Sequence, residues 1–285
     1  MDFREYTEIV FKAGDILSVQ MLEETYRYPR EFLQLSHANF GDGIVVGLDF
    51  ETKDDGVYLT PGIVKFDGKY YFLPKIVNLD SWLKHHKPAL TSSAEYFLCM
   101  ICEDVLSDND QASGIKVHSR MILRAEKERP ADSLLLAKYK FRTDTGIRLP
   151  DIEIPNENNP FEDFFQSGLL QLLECDYAHS QGQTTYHPLV FRAIKNYLEK
   201  KTSLSPYDFS LLIELQNHGI VSINSLMAYV AVNKGSSLMT PNVTREHLLQ
   251  EVVECIKKIY VPFIYQEQKP EQEPITKRKR ESKMI

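Results

Sequence analysis

Gly41-Asp-Gly-Ile-Val-Val-Gly47-Leu-Asp-Phe50, followed by Val57-Tyr-Leu-Thr-Pro61-Gly62-Ile-Val-Lys-Phe-Asp67-Gly68-Lys-Tyr-Tyr-Phe-Leu-Pro74, is the stretch that decides how this chain is read. Short apolar runs are cut by Pro61-Gly62 and by Asp67-Gly68. Ile44 to Phe50 is nearly continuous and apolar, as in a strand buried on both faces. Val57–Thr60 and Ile63–Phe66 are β-branched or aromatic. Tyr70–Leu73 pairs back across Asp67-Gly68, a strong hairpin signal. The glycines read as turn and close-packing positions. A phosphate cradle is disfavoured, because the third glycine is misplaced for GxGxxG and the helix precedes the glycines.

Upstream, Ser18 is placed to cap a helix, with Met21, Leu22, Thr25 and Tyr26 on one face. Pro29 is expected to break or kink it, or to start a second helix. Phe32, Leu33 and Leu35 continue the apolar face, and Gly41 closes it. Downstream, residues 80–93 read as a polar connection holding the single tryptophan, Trp82. Glu95–Leu106 reads as a buried strand and Ile115–Ala125 as a partly alternating one. In Ser133–Arg142, Ala137, Tyr139 and Phe141 alternate with Lys138, Lys140 and Arg142, as in a half-buried strand.

Residues 149–160 carry three prolines and read as a linker. Beyond them, Phe161–Leu173 holds a short helix or a helix feeding a strand. Helices follow from Pro188, from Ser205-Pro206 with Gly219 as terminator, over Ser222–Val232, and over Thr244–Tyr260. Gln266–Ile285 has too little apolar surface to offset chain ordering. The expected architecture is α+β, an N-terminal β-sandwich or barrel-like domain with a helical lead-in, then a small helical bundle and a disordered tail. The boundaries are 1–148, a linker at 149–160, a helical domain at 161–265, and a basic-ended tail at 266–285.

The chain has 285 residues, enough for one large domain or two ordinary ones. Its net charge of -7 supplies no global basic field for nucleic acid or anionic lipid. Four cysteines without a regular framework point to a reducing compartment. The first residues lack a basic region followed by an apolar core, so no secretory signal is read. No apolar run reaches the roughly 20 residues that span a bilayer. A cytoplasmic protein is expected.

Candidate chemistry is sparse. Cys99-Met-Ile-Cys102 spells CxxC, but it lies in a strand pattern rather than at a helix start, so both residues read as core. Cys175, Asp176, His179 and His187 match no familiar zinc spacing. Asp49, Glu51, Asp54 and Asp55 read as a solvated loop, and so do His85 and His86. No catalytic, metal or cofactor residue is nominated, and no small-molecule substrate is expected. A dispersed enzyme site would draw on residues such as His118, Arg120 and Asp132. The one concentrated basic run, Lys277, Arg278, Lys279 and Arg280, reads either as a tether to an anionic surface, nucleic acid or acidic partner, or as a solubilising tail. Tyr26, Tyr28, Phe32 and Phe40 in the lead-in are the candidates for docking on a partner, weighed against packing on the β-domain.

The order of parts carries a resemblance. A helical lead-in runs into Gly43-Ile-Val-Val-Gly47-Leu. Pro61-Gly62, the Gly68 hairpin, a Tyr96-Phe97-Leu98 strand and Asp132-Ser-Leu-Leu-Leu-Ala137 follow. Over roughly Phe11 to Arg142 this resembles the N-terminal β-domain of TssK-type baseplate proteins of phage and type VI secretion systems. In general size the chain is also similar to accessory subunits of type IV coupling complexes, DotZ-like components of Dot/Icm systems. The resemblance implies a cytoplasmic, non-catalytic subunit that binds other protein subunits of a bacterial secretion complex. Self-association through the β-domain is left open. Membrane contact would be indirect, at the cytoplasmic face of the inner membrane.

Overall fold

The run Ile44–Phe50 is not one strand. In the computed structural model it splits into β1 (Gly43–Gly47) and β2 (Phe50–Lys53), which belong to different sheets. Gly47 and Leu48 both adopt left-handed backbone, with φ 67° and 53°. The turn they make is itself buried: Leu48 is fully covered, and its N–H donates to the Pro61 carbonyl at 3.2 Å. A turn that faces the core keeps its apolar spelling, so hydrophobic continuity hides the break. The structure describes residues 18–86, 95–108, 115–140, 146–152, 161–166, 168–180, 183–236 and 243–258.

β1 pairs antiparallel with β4 (Gly62–Phe66), and β4 with β5 (Lys69–Leu73). The β4–β5 hairpin turns at Asp67-Gly68, where both residues have positive φ, the conformation a two-residue turn between twisted strands requires. β2 pairs with β3 (Gly56–Leu59), and β3 with the short β6 (Val77–Asn78). A third sheet has the order β8-β7-β9, from β7 (Glu95–Asp108), β8 (Ile115–Glu126) and β9 (Ser133–Lys140). An α+β architecture is thus present, with the strand-rich part first and helices last.

One local expectation fails, and another holds over only part of its strand. The polar connection after residue 79 contains a helix, α2 (Leu79–His86). Asn78 Oδ1 accepts the Ser81 N–H at 2.8 Å to start it, and Leu79 and Leu83 are buried one turn apart. In β9 the expected alternation is present from Ala137 to Lys140, buried at Ala137 and Tyr139 and half-buried at Lys138 and Lys140, whereas Ser133 through Leu136 are buried in succession. The edge of β9 that β7 leaves free is occupied. Lys138 exchanges backbone bonds with Gln171, and Asp176 bonds Leu135 through both its backbone N–H and its carboxylate. A strand enclosed this way reads as a continuous apolar run.

Residues beyond the three-proline stretch complete the first sheet. β10 (Tyr177–Ala178) runs parallel to β1, and β11 (Thr184–Thr185) pairs with β10, giving the order β11-β10-β1-β4-β5. A 3₁₀ helix, Glu162–Phe165, inserts Phe164 into the helical core. The bundle is α3 (Pro188–Lys200), α4 (Pro206–His218), α5 (Ile223–Lys234) and α6 (Arg245–Lys257). Each begins at a side-chain cap: His187, Ser205, Ser222 and Thr244. α4 and α5 end on left-handed glycines, Gly219 and Gly235.

Two hydrophobic cores result. One gathers Ile44, Phe50, Leu59, Val64, Leu98 and Leu136 from the sheets, and the other Phe161, Tyr186, Phe191, Leu211, Leu249 and Ile256 from the bundle. Ile152 and Ile220 pack against both. Arg245 ties them together. Its guanidinium donates to the carbonyls of Leu173, Cys175 and Thr185 and to the Thr184 hydroxyl.

Candidate interaction surface

The lead-in helix α1 (Val19–Ser36) starts where expected, with Ser18 Oγ accepting the Met21 N–H at 3.2 Å. It runs through Pro29 without ending, so neither the break nor a second start occurs there. It stops at Ser36 rather than Gly41, with His37 as its C-cap. At 100° per residue, Val19, Leu22, Tyr26, Pro29 and Leu33 form one row, and Met21, Tyr28, Phe32 and Leu35 an adjoining one. Glu23, Glu24, Arg27, Arg30 and Glu31 take the opposite side. An apolar arc this broad belongs on a helix with neighbours. Yet no described side chain of α1 is buried: Val19 is 73% exposed, Phe32 58% and Leu35 79%.

The helix is held at its C-terminal end. Lys65 Nζ, from β4, donates to the carbonyls of His37 at 3.1 Å and Phe40 at 2.8 Å. The His37 ring lies edge-on to Phe40 and against Tyr70 of β5. Lys65, Ile63, Tyr70 and Phe72 are alternate residues of paired strands, so they share the outer face of the five-stranded sheet. Val46 on β1 pairs with Ile63, and Ile63 with Phe72. Val46 and Phe72 are half exposed, at 52% and 53%. An apolar row therefore crosses the sheet beside the point where α1 is anchored. The Tyr70 hydroxyl sits there buried, with no hydrogen-bond partner among the described residues, and burial raises its pKa.

Of the docking candidates, Tyr28 and Phe32 stack on each other along α1, at 6.4 Å between centroids. Phe40 is half-buried at the anchor, bridged to Ser180. The Tyr26 side chain and Lys277, Arg278, Lys279 and Arg280 lie outside the described residues. The sheet row Val46–Ile63–Phe72 was missed by sequence reading. Its signal was available: in the pairing that Asp67-Gly68 imposes, Ile63 and Phe72 must face each other.

The remaining candidates are dispersed. Cys99 is buried and Cys102 half-buried on β7. Burial raises both thiols, Cys102 to about 12, so neither is a ready nucleophile. Burial likewise raises Cys175. His179 bonds Ser180, whereas His187 is fully buried between Phe50 and Tyr177 as the cap of α3. Among the described residues no group of three or more His, Cys, Asp or Glu converges as a metal site. Asp55 accepts from Tyr58, His85 bonds the Ser81 carbonyl, and Arg120 pairs with Glu103 across the β7–β8 ladder. The His118 side chain is outside the described residues. No described helix is long and apolar enough to cross a membrane.

His187, fully buried, and Asp49, half-buried, face each other beside the β1–β2 turn. His187 Nδ1 accepts the Leu189 N–H at 3.2 Å, which leaves Nε2 carrying the proton of the neutral ring. Nε2 lies 3.9 Å from Asp49 Oδ1, beyond hydrogen-bond reach, with the Leu48 backbone as its other polar neighbour. Burial lowers the His187 pKa to about 3, helped by the Arg192 charge and opposed by the Leu48 backbone, and burial raises that of Asp49. The pair sits where the β1–β2 turn meets the first turn of α3.

No protein-family model matches the chain, and no curated protein does. Among solved structures, it is similar to a chain of the type VI secretion system TssK-TssF-TssG baseplate subcomplex. The identity is 10% and the TM-score 0.38, over 89% of this chain and 99% of that one. A crystal structure of TssK matches at 11% identity and TM-score 0.35, over 88% of this chain and 71% of that one. A chain of the type VI baseplate complex matches at 11% and 0.35, over 89% of this chain and all of the other. At scores this low the likeness is a distant one of outline.

Proposed function

We propose that this chain is a non-catalytic structural subunit of a bacterial secretion apparatus, acting in the cytoplasm by binding other protein subunits. The observation that carries the binding role is α1. An 18-residue helix with a broad and largely exposed apolar arc is anchored just past its C-terminal end, next to an apolar row on a sheet face. Leaving such area in water costs about 25 cal/mol per Å², so a partner that covers the helix or the sheet row is favoured. Large rigid aromatics such as Phe32, Tyr28 and Phe72 suit the centre of such an interface. The secretion assignment rests on the order of lead-in, glycine-cut strands and hairpin over residues 11–142. A baseplate of the TssK kind and a type IV coupling complex of the Dot/Icm kind both fit that role.

The test is co-purification from the native host with wild type and with Phe32→Ser/Leu35→Ser. Wild type is expected to carry defined secretion-system subunits in fixed stoichiometry, and the double variant to lose them while keeping its unfolding midpoint. Capture of no such subunit by wild type, or undiminished capture by the variant, overturns the reading.

A further inference from the structure

Two apolar rows of this chain stand uncovered on either side of one pivot. The α1 row is Tyr28, Phe32 and Leu35, all exposed. The sheet row is Val46, Ile63 and Phe72, exposed at Val46 and Phe72. Between them the His37 ring rests against Tyr70, at 6.1 Å between centroids, and Lys65 Nζ holds the His37 and Phe40 carbonyls. Measured from that contact, the two rows match. Phe32 precedes His37 by about 7.5 Å along the helix axis. Phe72 follows Tyr70 by about 7 Å along β5, on the same face. A rotation of α1 about residues 36–38 therefore carries Phe32 toward Phe72 with the Lys65 bonds kept. The last three turns of α1 are about 16 Å long, close to the length of the five-residue strands β4 and β5. The pivot is also incompletely satisfied as it stands, because the buried Tyr70 hydroxyl has no hydrogen-bond partner among the described residues. Carbonyls at a helix C-terminus lack intrahelical donors, so the last turn of α1 offers that hydroxyl an acceptor as the helix turns.

We propose that α1 is a strap, open in this structure, that closes over Val46, Ile63 and Phe72 when no partner covers them. The two rows are joined through a short link, so closure competes with any partner as an intramolecular event at high effective concentration. A partner of either row then binds only the open fraction, and its apparent affinity falls by that fraction. Closure is a property of the chain alone, whereas its action as a block rests on the subunit-binding role proposed above.

Disulfide trapping in the purified full chain tests closure. Phe32→Cys/Phe72→Cys is oxidised at low protein concentration in a Cys102→Ala background, where the remaining native cysteines, Cys99, Cys175 and Cys255, are buried. An intrachain bond is expected to form at least about tenfold faster than in Val19→Cys/Phe72→Cys, because Val19 lies about 20 Å further along α1. No intrachain bond, a bond only between chains, or equal rates for the two pairs overturns the proposal. Hydrogen exchange gives a second reading. Val46→Ser/Phe72→Ser alters the sheet row alone, and both side chains are half exposed, so the sheet keeps its fold. The amides of 26–36 are expected to exchange at least about threefold faster in this variant than in wild type; unchanged exchange overturns closure. In native-host extract the oxidised Phe32→Cys/Phe72→Cys chain is expected to capture at least about fivefold less subunit than the same chain reduced, and equal capture overturns the block. A chain that traps its disulfide while wild type captures no subunit overturns the binding role and leaves closure supported.

Discussion

Gly47 is the residue on which the β-scaffold turns. Its φ of 67° suits glycine, and a Cβ added there would lie 2.1 Å from the Pro61 carbonyl oxygen. Gly47→Ala is therefore expected to lower stability by more than about 2 kcal/mol, read as a shift in urea midpoint at unchanged slope. Asp80 works by opposite means: its carboxylate accepts the backbone N–H of Val57 and of Ile147, each at 3.0 Å. Two stretches 90 residues apart are pinned by one side chain, and nothing in the spelling Leu-Asp-Ser-Trp announces it.

His187 makes stability depend on pH. Its folded pKa lies below the unfolded one, so between about pH 6.5 and 3 the unfolded chain binds the extra proton. Its contribution is full above 6.5 and is lost as pH falls through that window. Asp49, raised by burial, opposes this at the acid end, because its folded form takes up a proton first. His187→Asn keeps a cap acceptor for Leu189 and is expected to flatten the decline in urea midpoint between pH 7 and 5. A decline as steep as in wild type would show that other groups carry it.

At the scale of elements, helix starts follow from local chemistry. Ser205 and Asp208 cap α4 reciprocally, and Asp208, only 1% exposed, also binds Lys201 Nζ at 2.7 Å and the Tyr229 hydroxyl. Burial pulls its pKa upward, but the Lys201, Tyr229 and Ser205 bonds outweigh this and hold it below the usual value. Asp208→Ala removes the acceptor for all three and strands a buried ammonium, at an expected cost of about 3 kcal/mol, measured by equilibrium unfolding. The capping spelling was legible because its partners lie three residues apart. The burial of β9 was not, because the backbone that occupies its free edge comes from residues 171–176.

At the scale of the molecule, two cores share one junction. The Arg245 fork serves three carbonyls and a hydroxyl from residues 173–185, and Tyr186 OH returns a bond to the Arg245 carbonyl at 2.6 Å. Arg245→Ala is expected to cost about 3 kcal/mol. Arg245→Lys should recover only part of it, since an ammonium lacks the planar fork; full recovery by lysine would mean that charge alone matters. Both effects are read from thermal unfolding of the full chain.

Period, turn chemistry and caps determined the α+β class, the β4–β5 hairpin, the starts of α1 and of the four bundle helices and the amphipathic character of α1, because each depends on residues within a turn or two of one another. Tertiary structure alone decided that Ile44–Phe50 serves two sheets, since the Leu48 turn is stabilised by Pro61, and that β10 completes a sheet begun at Gly43. It alone decided that the apolar face of α1 is left open. Amphipathicity states that a face must be covered, and only the packing of the rest of the chain tells whether the cover is its own.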